Sequence, residues 1–350
     1  MALLEAFLDR ERSGFERDKG LHDKARALSV AYTTSASALE PGPPIAPDAA
    51  ASLAYLAYFG PRAIAAVAHA LAFASVPAHC VDVGAGSGAS ALVLALFGAR
   101  KLTLIDTSAA SLLLAKRLLS FASGRLPSGV EVRTIVGEAS KTVDAHAALV
   151  LSAFMFGESE GEPSDALAAL GKNAPQAKTM IIVDAGDRPR ARRLQTARDA
   201  LVSSAGLHPL AARGLVVRAP CPHIEPCPAL VRERDWCHAR VDKDLPPKLA
   251  RFARAVGRDD ERMSASFLVL DDRPPDDTGI VVIGDVLKEK GRARLPVCGP
   301  GGLRFLQAEK RDRRAYDALR NVARGQRLSM AAAATARNGT GHVSDEAQLA

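Results

Sequence analysis

Hydrophobic positions change their period twice along this chain. Residues 1–30 mix acids, bases and apolar residues and predict a charged amphipathic helix. Residues 32–52 are rich in Pro, Ser and Ala and predict a linker. Two helical stretches follow, AYLAYFG and PRAIAAVAHALAFAS, and Gly60-Pro61 is expected to break or restart the helix between them. From His79 short apolar runs take over: HCVDVG, KLTLIDT, VEVRTIVG, AALVLSAFMF and KTMIIVDAG. Helical stretches separate them. Runs of this length bounded by helices predict strands buried on both faces of a parallel sheet, the doubly wound α/β arrangement. A sixth run, HPLAARGLVVRAP, leads into a cysteine-rich segment. Beyond it, SASFLVLDD, TGIVVIGDVLKEK, ARLPVCG and LRFLQAEK predict antiparallel strands, and residues 312–327 a basic helix. The tail from Met330 carries no core-forming pattern and is expected to be disordered. Four parts are therefore expected: a helical region with its Pro-rich linker at 1–76, a sheet domain at 77–218, a cysteine-containing β-rich module at 219–329 and the tail at 330–350.

Composition narrows the class. The chain has 350 residues, 48% of them hydrophobic, enough for a sizeable core. No run of eighteen apolar residues appears, so no transmembrane helix and no membrane partner are expected. The opening MALLEAFLDRERSGFERDKG carries acids early, unlike a signal or transit peptide. Five cysteines are too few for a secreted disulfide framework of this size. A reducing compartment is expected, the bacterial cytoplasm ahead of the mitochondrial matrix; the Ala- and Arg-rich composition suits a source of high GC content. The net charge of +7 and a pI near 9.3 suit an anionic partner.

The first strand-like run ends in GAGSGAS. Gly84, Gly86 and Gly88 let the backbone turn sharply and approach a ligand closely. That spacing also fits a dinucleotide fingerprint. Asp82, two residues before the first glycine, turns the balance towards a class I S-adenosylmethionine (SAM) site, where such an acid faces the cofactor's cationic methionine end. Asp106 closes KLTLID, eighteen residues past Gly88, and is placed to accept ribose hydroxyls. Two further motifs are missing. The Asn/Asp-Pro-Pro-aromatic sequence of many amino-methyltransferases is replaced by LSAFMFGE, and no cysteine nucleophile follows the fourth or fifth run. Glu158 is the only acid near the expected substrate mouth, where it equally fits a solvated helix start.

Cys221, Cys227 and Cys237 fall within seventeen residues, and Cys298 lies sixty residues beyond them. Tight C-x2–4-C zinc pairs are absent. Iron–sulfur sites tolerate wider spacing. Pro220, Pro222, Pro226 and Pro228 stiffen the segment, and His223 and His238 could replace a thiolate or support one. Cys80, at the start of the first strand, reads as a buried small hydrophobe.

APCPH…CP…DWCH followed by LPVCG resembles the methyltransferase-like family of the mitochondrial small ribosomal subunit and its bacterial relatives. AYLAYFGPRAIAAVAHAL resembles that family's helix region before the sheet. IIVDAGDRPRARRLQTARDAL resembles its EPGTP…ARD segment, with Asp184-Ala185-Gly186 in place of Glu-Pro-Gly, and SFLVLDD resembles one of its strands. The resemblance covers roughly residues 50–327. It implies a class I SAM fold, a [4Fe–4S] cluster on Cys221, Cys227, Cys237 and Cys298 (with zinc as the alternative metal), and action on small-subunit rRNA as methyltransferase or assembly factor, with ribosomal proteins as further partners.

Between Lys288 and Arg327 there are twelve Lys/Arg and four Asp/Glu. Arg292, Arg294, Lys310, Arg311, Arg313 and Arg314 are the residues expected to face rRNA phosphates. Few aromatics interleave with them, which favours backbone contact over base stacking.

Overall fold

A computed structural model of the protein describes residues 1–35, 48–127, 129–257, 262–273, 279–329, 336–337 and 340–342. The Pro-rich linker falls almost wholly outside these residues.

The N-terminal segment forms two helices rather than one, α1 (Ala2–Glu11) and α2 (Lys19–Ser35). Gly14 adopts a left-handed φ of 69° and a 3-10 turn, Phe15–Arg17, separates them. The break lets Phe7 and Phe15 bury against Phe121 and Phe252, which a straight helix would not allow. Helix α3 (Ala49–Leu71) starts where the Asp48 carboxylate accepts the Ala51 N–H at 2.7 Å. It runs through Pro61 without a break, against expectation. Packing compensates for the missing hydrogen bond: Gly60 has no side chain, so Leu4 of α1 comes within 3.3 Å of where a Cβ would stand. By length and composition α3 could cross a membrane, but most of its apolar window is buried inside the protein.

The main sheet contains β1 (His79–Val83), β2 (Lys101–Asp106), β3 (Glu131–Val136), β4 (Leu149–Ala153), β5 (Thr179–Ala185), β6 (Val216–Ala219), β7 (Ala239–Asp242) and β8 (Arg262–Asp271). Its order is β3-β2-β1-β4-β5-β8-β6, with β7 on the far half of β8. Strands β1 to β5 run parallel, and β8 inserts antiparallel between β5 and β6. Helices α4 (Ala89–Leu96), α5 (Ala109–Ala122) and α9 (Pro247–Ala255) share one face of the sheet with α1 and α3. Helices α6 (Pro163–Lys172), α7 (Arg188–Ser203) and α8 (Pro209–Ala212) cover the other. This is the class I SAM methyltransferase fold.

Strand β8 is the SFLVLDD run expected in the C-terminal module. It belongs to the main sheet because its side chains are buried almost without interruption from Ala265 to Asp271, a pattern that needs cover on both faces. The second sheet holds β9 (Gly279–Val282), β10 (Leu287–Glu289), β11 (Arg292–Gly299), β12 (Gly302–Glu309) and β13 (Arg327–Ser329). Helix α10 (Arg313–Asn321) packs on it through Ala315 and Leu319. Within the tail expected to be disordered, β14 (Ala336–Arg337) and β15 (Thr340–His342) pair with each other, and β15 lies beside β12. The rest of that tail lies outside the described residues.

Candidate functional site

The turn from β1 into α4 is built from three left-handed glycines, Gly84 (φ 74°), Gly86 (φ 51°) and Gly88 (φ 85°). Each has a different neighbour. A Cβ on Gly88 would stand 2.7 Å from Ala115 Cβ on α5, and one on Gly84 would stand 2.9 Å from Met155 Sδ. At Gly86 the nearest atom is the Tyr55 ring at 3.8 Å, so a side chain of α3 leans over the loop. The Gly86 N–H is donated to Asp106 Oδ2 at 2.8 Å, and the Ser108 N–H to Asp106 Oδ1 at 2.8 Å. Asp106 therefore joins the ends of β1 and β2. Burial raises its carboxyl above the ordinary range, and these N–H groups oppose that rise.

Asp82 lies deeper than the loop it precedes. It is wholly buried, Oδ2 accepts the Ser90 hydroxyl at 2.6 Å, and Oδ1 has no partner. Burial pushes its carboxyl up to about 7. Ser90 sits on α4, so Asp82 also steadies the first turn of that helix.

The opposite wall comes from β4, β5 and α7. Phe154, just past β4, takes a left-handed φ of 58°, a strained position for a non-glycine residue. Its N–H is donated to the Val183 carbonyl at 2.7 Å. The turn that follows, Phe156–Glu158, is held by Asp184: the Gly157 N–H is donated to Asp184 Oδ2 at 2.6 Å, and the Ala185 N–H to Oδ1 at 2.8 Å. Arg190 Nε lies 3.9 Å from Asp184 Oδ1. Half-buried Glu158 is pushed up to about 7 by burial first and the Asp184 charge second, with Arg190 opposing. Asp184 rises to about 6, again chiefly through burial. The segment Asp184-Ala185-Gly186 is fixed on its far side too, because Trp236 donates its indole N–H to the Gly186 carbonyl at 2.9 Å.

That tryptophan belongs to the second feature. Cys221, Cys227, Cys237 and Cys298 all line one cavity of about 690 Å³, together with His223, His238 and Trp236. Strand β11 delivers Cys298 to the Cys221–Cys237 segment across sixty intervening residues. His223 Nε2 is 3.2 Å from Cys298 Sγ. Cys80 is buried elsewhere, in β1, as expected of a core residue. Burial and mutual repulsion raise the thiols, Cys227 to about 11 and Cys298 to about 12, and Cys237 is also raised by burial and its neighbours. The cavity wall holds buried guanidinium nitrogens without partners: Arg198 Nε, Arg304 Nε and Arg324 Nε. Among the described residues no group of three His, Cys, Asp or Glu is arranged to hold a single metal ion.

Helix α7 joins both features, which the sequence reading missed. Arg190 lies near its start, facing Asp184. Further on, Arg192 donates to the carbonyls of Ala229, Arg232 and Asp235 at 3.1, 2.9 and 2.7 Å. Gln195 donates to the Cys237 carbonyl at 2.9 Å. Arg198, 2% exposed, donates to the carbonyls of His223 and Glu225. The signal was present as spacing: residues 192, 195 and 199 recur at helical intervals.

The basic residues form one patch. Arg292 and Arg294 open β11, Lys310 and Arg311 close β12, and the Lys310 N–H is donated to the Gly291 carbonyl at 2.8 Å. Arg313 and Arg314 start α10 beside them. The patch is partly neutralised. Glu289 pairs with Arg292 and, at 3.2 Å, with Arg294, whose guanidinium also stacks over Phe305 at 4.1 Å. Arg311 pairs with Glu309 at 3.0 Å and Arg313 with Asp317 at 3.8 Å.

The sequence profile of the mitochondrial small ribosomal subunit Rsm22 family matches residues 49–329. The chain belongs to the Rsm22 family. The match takes in both the glycine loop and all four cavity cysteines. Among solved structures, magnesium protoporphyrin IX methyltransferase from Synechocystis PCC 6803 with bound SAM is 12% identical, covers 71% of this chain and 97% of its own, and has a TM-score of 0.36. A SAM-dependent methyltransferase from Thiobacillus denitrificans, bound to S-adenosyl-L-homocysteine, is 14% identical, covers 61% of this chain and 92% of its own, and has a TM-score of 0.34. Comparison with curated proteins returns no match.

Proposed function

We propose that this Rsm22-family protein binds SAM and transfers its methyl group to rRNA of the small ribosomal subunit. The observation that carries the reading is the left-handed glycine loop tied to Asp106, open only towards Tyr55, in a chain of a small-subunit family. Gly84, Gly86 and Gly88 would admit the cofactor's backbone-hugging part, and Asp106 would offer its remaining lone pairs to ribose hydroxyls. Asp82, with one unpartnered oxygen, would stand behind the cationic methionine end. The cofactor supplies an electrophilic methyl group on a sulfonium, so alignment of the acceptor provides much of the acceleration. Arg292, Arg294, Lys310, Arg311, Arg313 and Arg314 would hold the RNA backbone.

The four cavity cysteines would carry a [4Fe–4S] cluster. Two observations favour a cluster over zinc. A zinc ion at about 2.3 Å from each sulfur draws its ligands into one small tetrahedron, and no such group exists among the described residues. The unpartnered nitrogens of Arg198, Arg304 and Arg324 suit a larger anionic group in the cavity. Anaerobic purification with iron, sulfide and zinc analysis tests this: iron and sulfide in equal amounts support it, and zinc alone refutes it.

A second reading rests on α7. It stitches the cysteine segment to the sheet domain through Arg192, Gln195 and Arg198, as suits an assembly factor whose cluster holds an RNA-binding surface in place. Labelled SAM incubated with small-subunit particles from a deletion strain separates the two. Methyl incorporation supports transfer, whereas SAM binding without incorporation favours the assembly factor.

A further inference from the structure

The turn after β4 carries more than a wall of the cofactor pocket. Its start is strained at Phe154, its middle is clamped by Asp184, and its end presents Glu158. The two carboxylates have different employment. Asp184 uses both oxygens on backbone N–H groups of its own surroundings. Among the described residues, no hydrogen bond or ion pair engages the Glu158 carboxylate. Tyr55 shows that this carboxylate faces the cofactor side. Its ring leans over Gly86, and its hydroxyl is raised above the ordinary range by burial first and then by the charges of Glu158, Asp106 and Asp184. The acid at the ribose end and the acid at the mouth therefore act on one shared space. Tyr55 and Phe59 stack at 4.9 Å along its edge, and Met155 forms its floor against Gly84. Flat, apolar walls with one unengaged carboxylate suit a planar acceptor that must lose a proton.

We propose that Glu158 accepts the proton from a planar N–H acceptor, the exocyclic amine of an rRNA base, during methyl transfer. This rests on the methyl-transfer reading above. The acceptor nitrogen forms the new N–CH3 bond as the S–CH3 bond breaks. The sulfur keeps that bonding pair and loses its positive charge. The N–H proton passes to a Glu158 oxygen, which becomes neutral and later releases it to water. Met155 and Phe154 would hold the acceptor plane, and Asp184 would position the Glu158 turn through Gly157.

Two measurements test it. The first needs no activity: carbon-13 NMR of the glutamate carboxyl groups in full-length, SAM-free protein, assigned by comparison with E158Q. A Glu158 midpoint near 7 is expected, and one in the ordinary carboxylate range overturns the proposal. The second is methyl incorporation into small-subunit particles. E158Q should lose roughly 10²-fold in rate or more, with SAM affinity and melting temperature unchanged, and E158D should recover part of the loss. Groups facing Glu158 are Asp184 of β5, Asp187 and Arg190 of α7, Tyr55 of α3 and Asp106 of β2. Because Glu158 and Asp184 repel, the acid limb of the wild-type profile belongs to the pair, and E158Q should move that limb to lower pH. Wild-type rates in E158Q overturn the role of Glu158 and leave methyl transfer standing. Absence of incorporation by SAM-loaded wild type overturns methyl transfer, and this role with it. A methyl group found on oxygen or carbon overturns the acceptor class.

Discussion

The Asp199 carboxylate accepts the backbone N–H of Cys227 with both oxygens, at 2.9 and 2.7 Å. Beside it, Arg198 donates to Asp199 at 2.8 Å and to two carbonyls of the cysteine segment. Charge-assisted bonds to backbone of this kind are worth about 1.5–3 kcal/mol each. Asp199→Ala is therefore expected to lower the melting temperature and the iron and sulfide content together. Wild-type iron content in that variant would separate α7 from the cysteine cavity.

Cys227→Ser tests ligation more directly. Metal binding energy becomes folding energy when the apo site must keep several buried thiols apart. The variant should be less soluble, melt lower and lose iron. Cys80→Ser is the control, since Cys80 lies in the core of β1 away from the cavity, and it should keep its iron.

Gly88→Ala should destabilise the fold by about 1–3 kcal/mol, because the added methyl meets Ala115 at 2.7 Å and the backbone is left-handed there. Gly98→Ala shares the left-handed backbone, with φ 108°, but meets nothing within 4 Å. Chemical denaturation should show a larger loss at Gly88, and SAM affinity should fall at Gly88 alone.

Asp82 shapes the pH dependence of stability. Its folded carboxyl titrates at about 7, above the unfolded value of about 3.9. Below about pH 4 it is protonated in both states and has no effect. Between about pH 4 and 7 the unfolded chain ionises while the folded one keeps its proton, so this group makes stability fall as pH rises. Asp82→Asn should flatten the fall across that window. Denaturation midpoints at pH 4.5 and pH 7.5 check this, and an identical fall in the variant would remove Asp82 as a contributor.

On the basic patch, ion pairing ranks the residues. Glu289 already neutralises Arg292 and Arg294, whereas among the described residues Lys310 and Arg314 have no carboxylate within 4 Å. Reversing Lys310 and Arg314 should weaken RNA binding and lower its salt slope by more than reversing Arg292 and Arg294. Each lost phosphate contact on single-stranded RNA lowers the slope by about 0.7. Titrations at several salt concentrations decide it, and equal slopes for the two pairs would contradict the ranking.

The period of the apolar runs was enough to place β1 to β5, because strands buried on both faces leave a continuous local signature. The glycine loop was legible for a similar reason: left-handed turns at Gly84, Gly86 and Gly88 select glycine locally. The grouping of Cys221, Cys227 and Cys237 was visible as spacing alone. The tertiary structure decided what local pattern cannot express. It moved β8 from the expected C-terminal module into the main sheet, because only there do both of its faces find cover. It carried Pro61 inside α3, since packing against α1 outweighs one missing hydrogen bond. It also brought together groups far apart in the chain: Cys298 with Cys221, Tyr55 with Gly86, and Glu158 with Asp184. Contacts of that kind depend on which strand lies beside which, and strand order arises from burial across the whole chain.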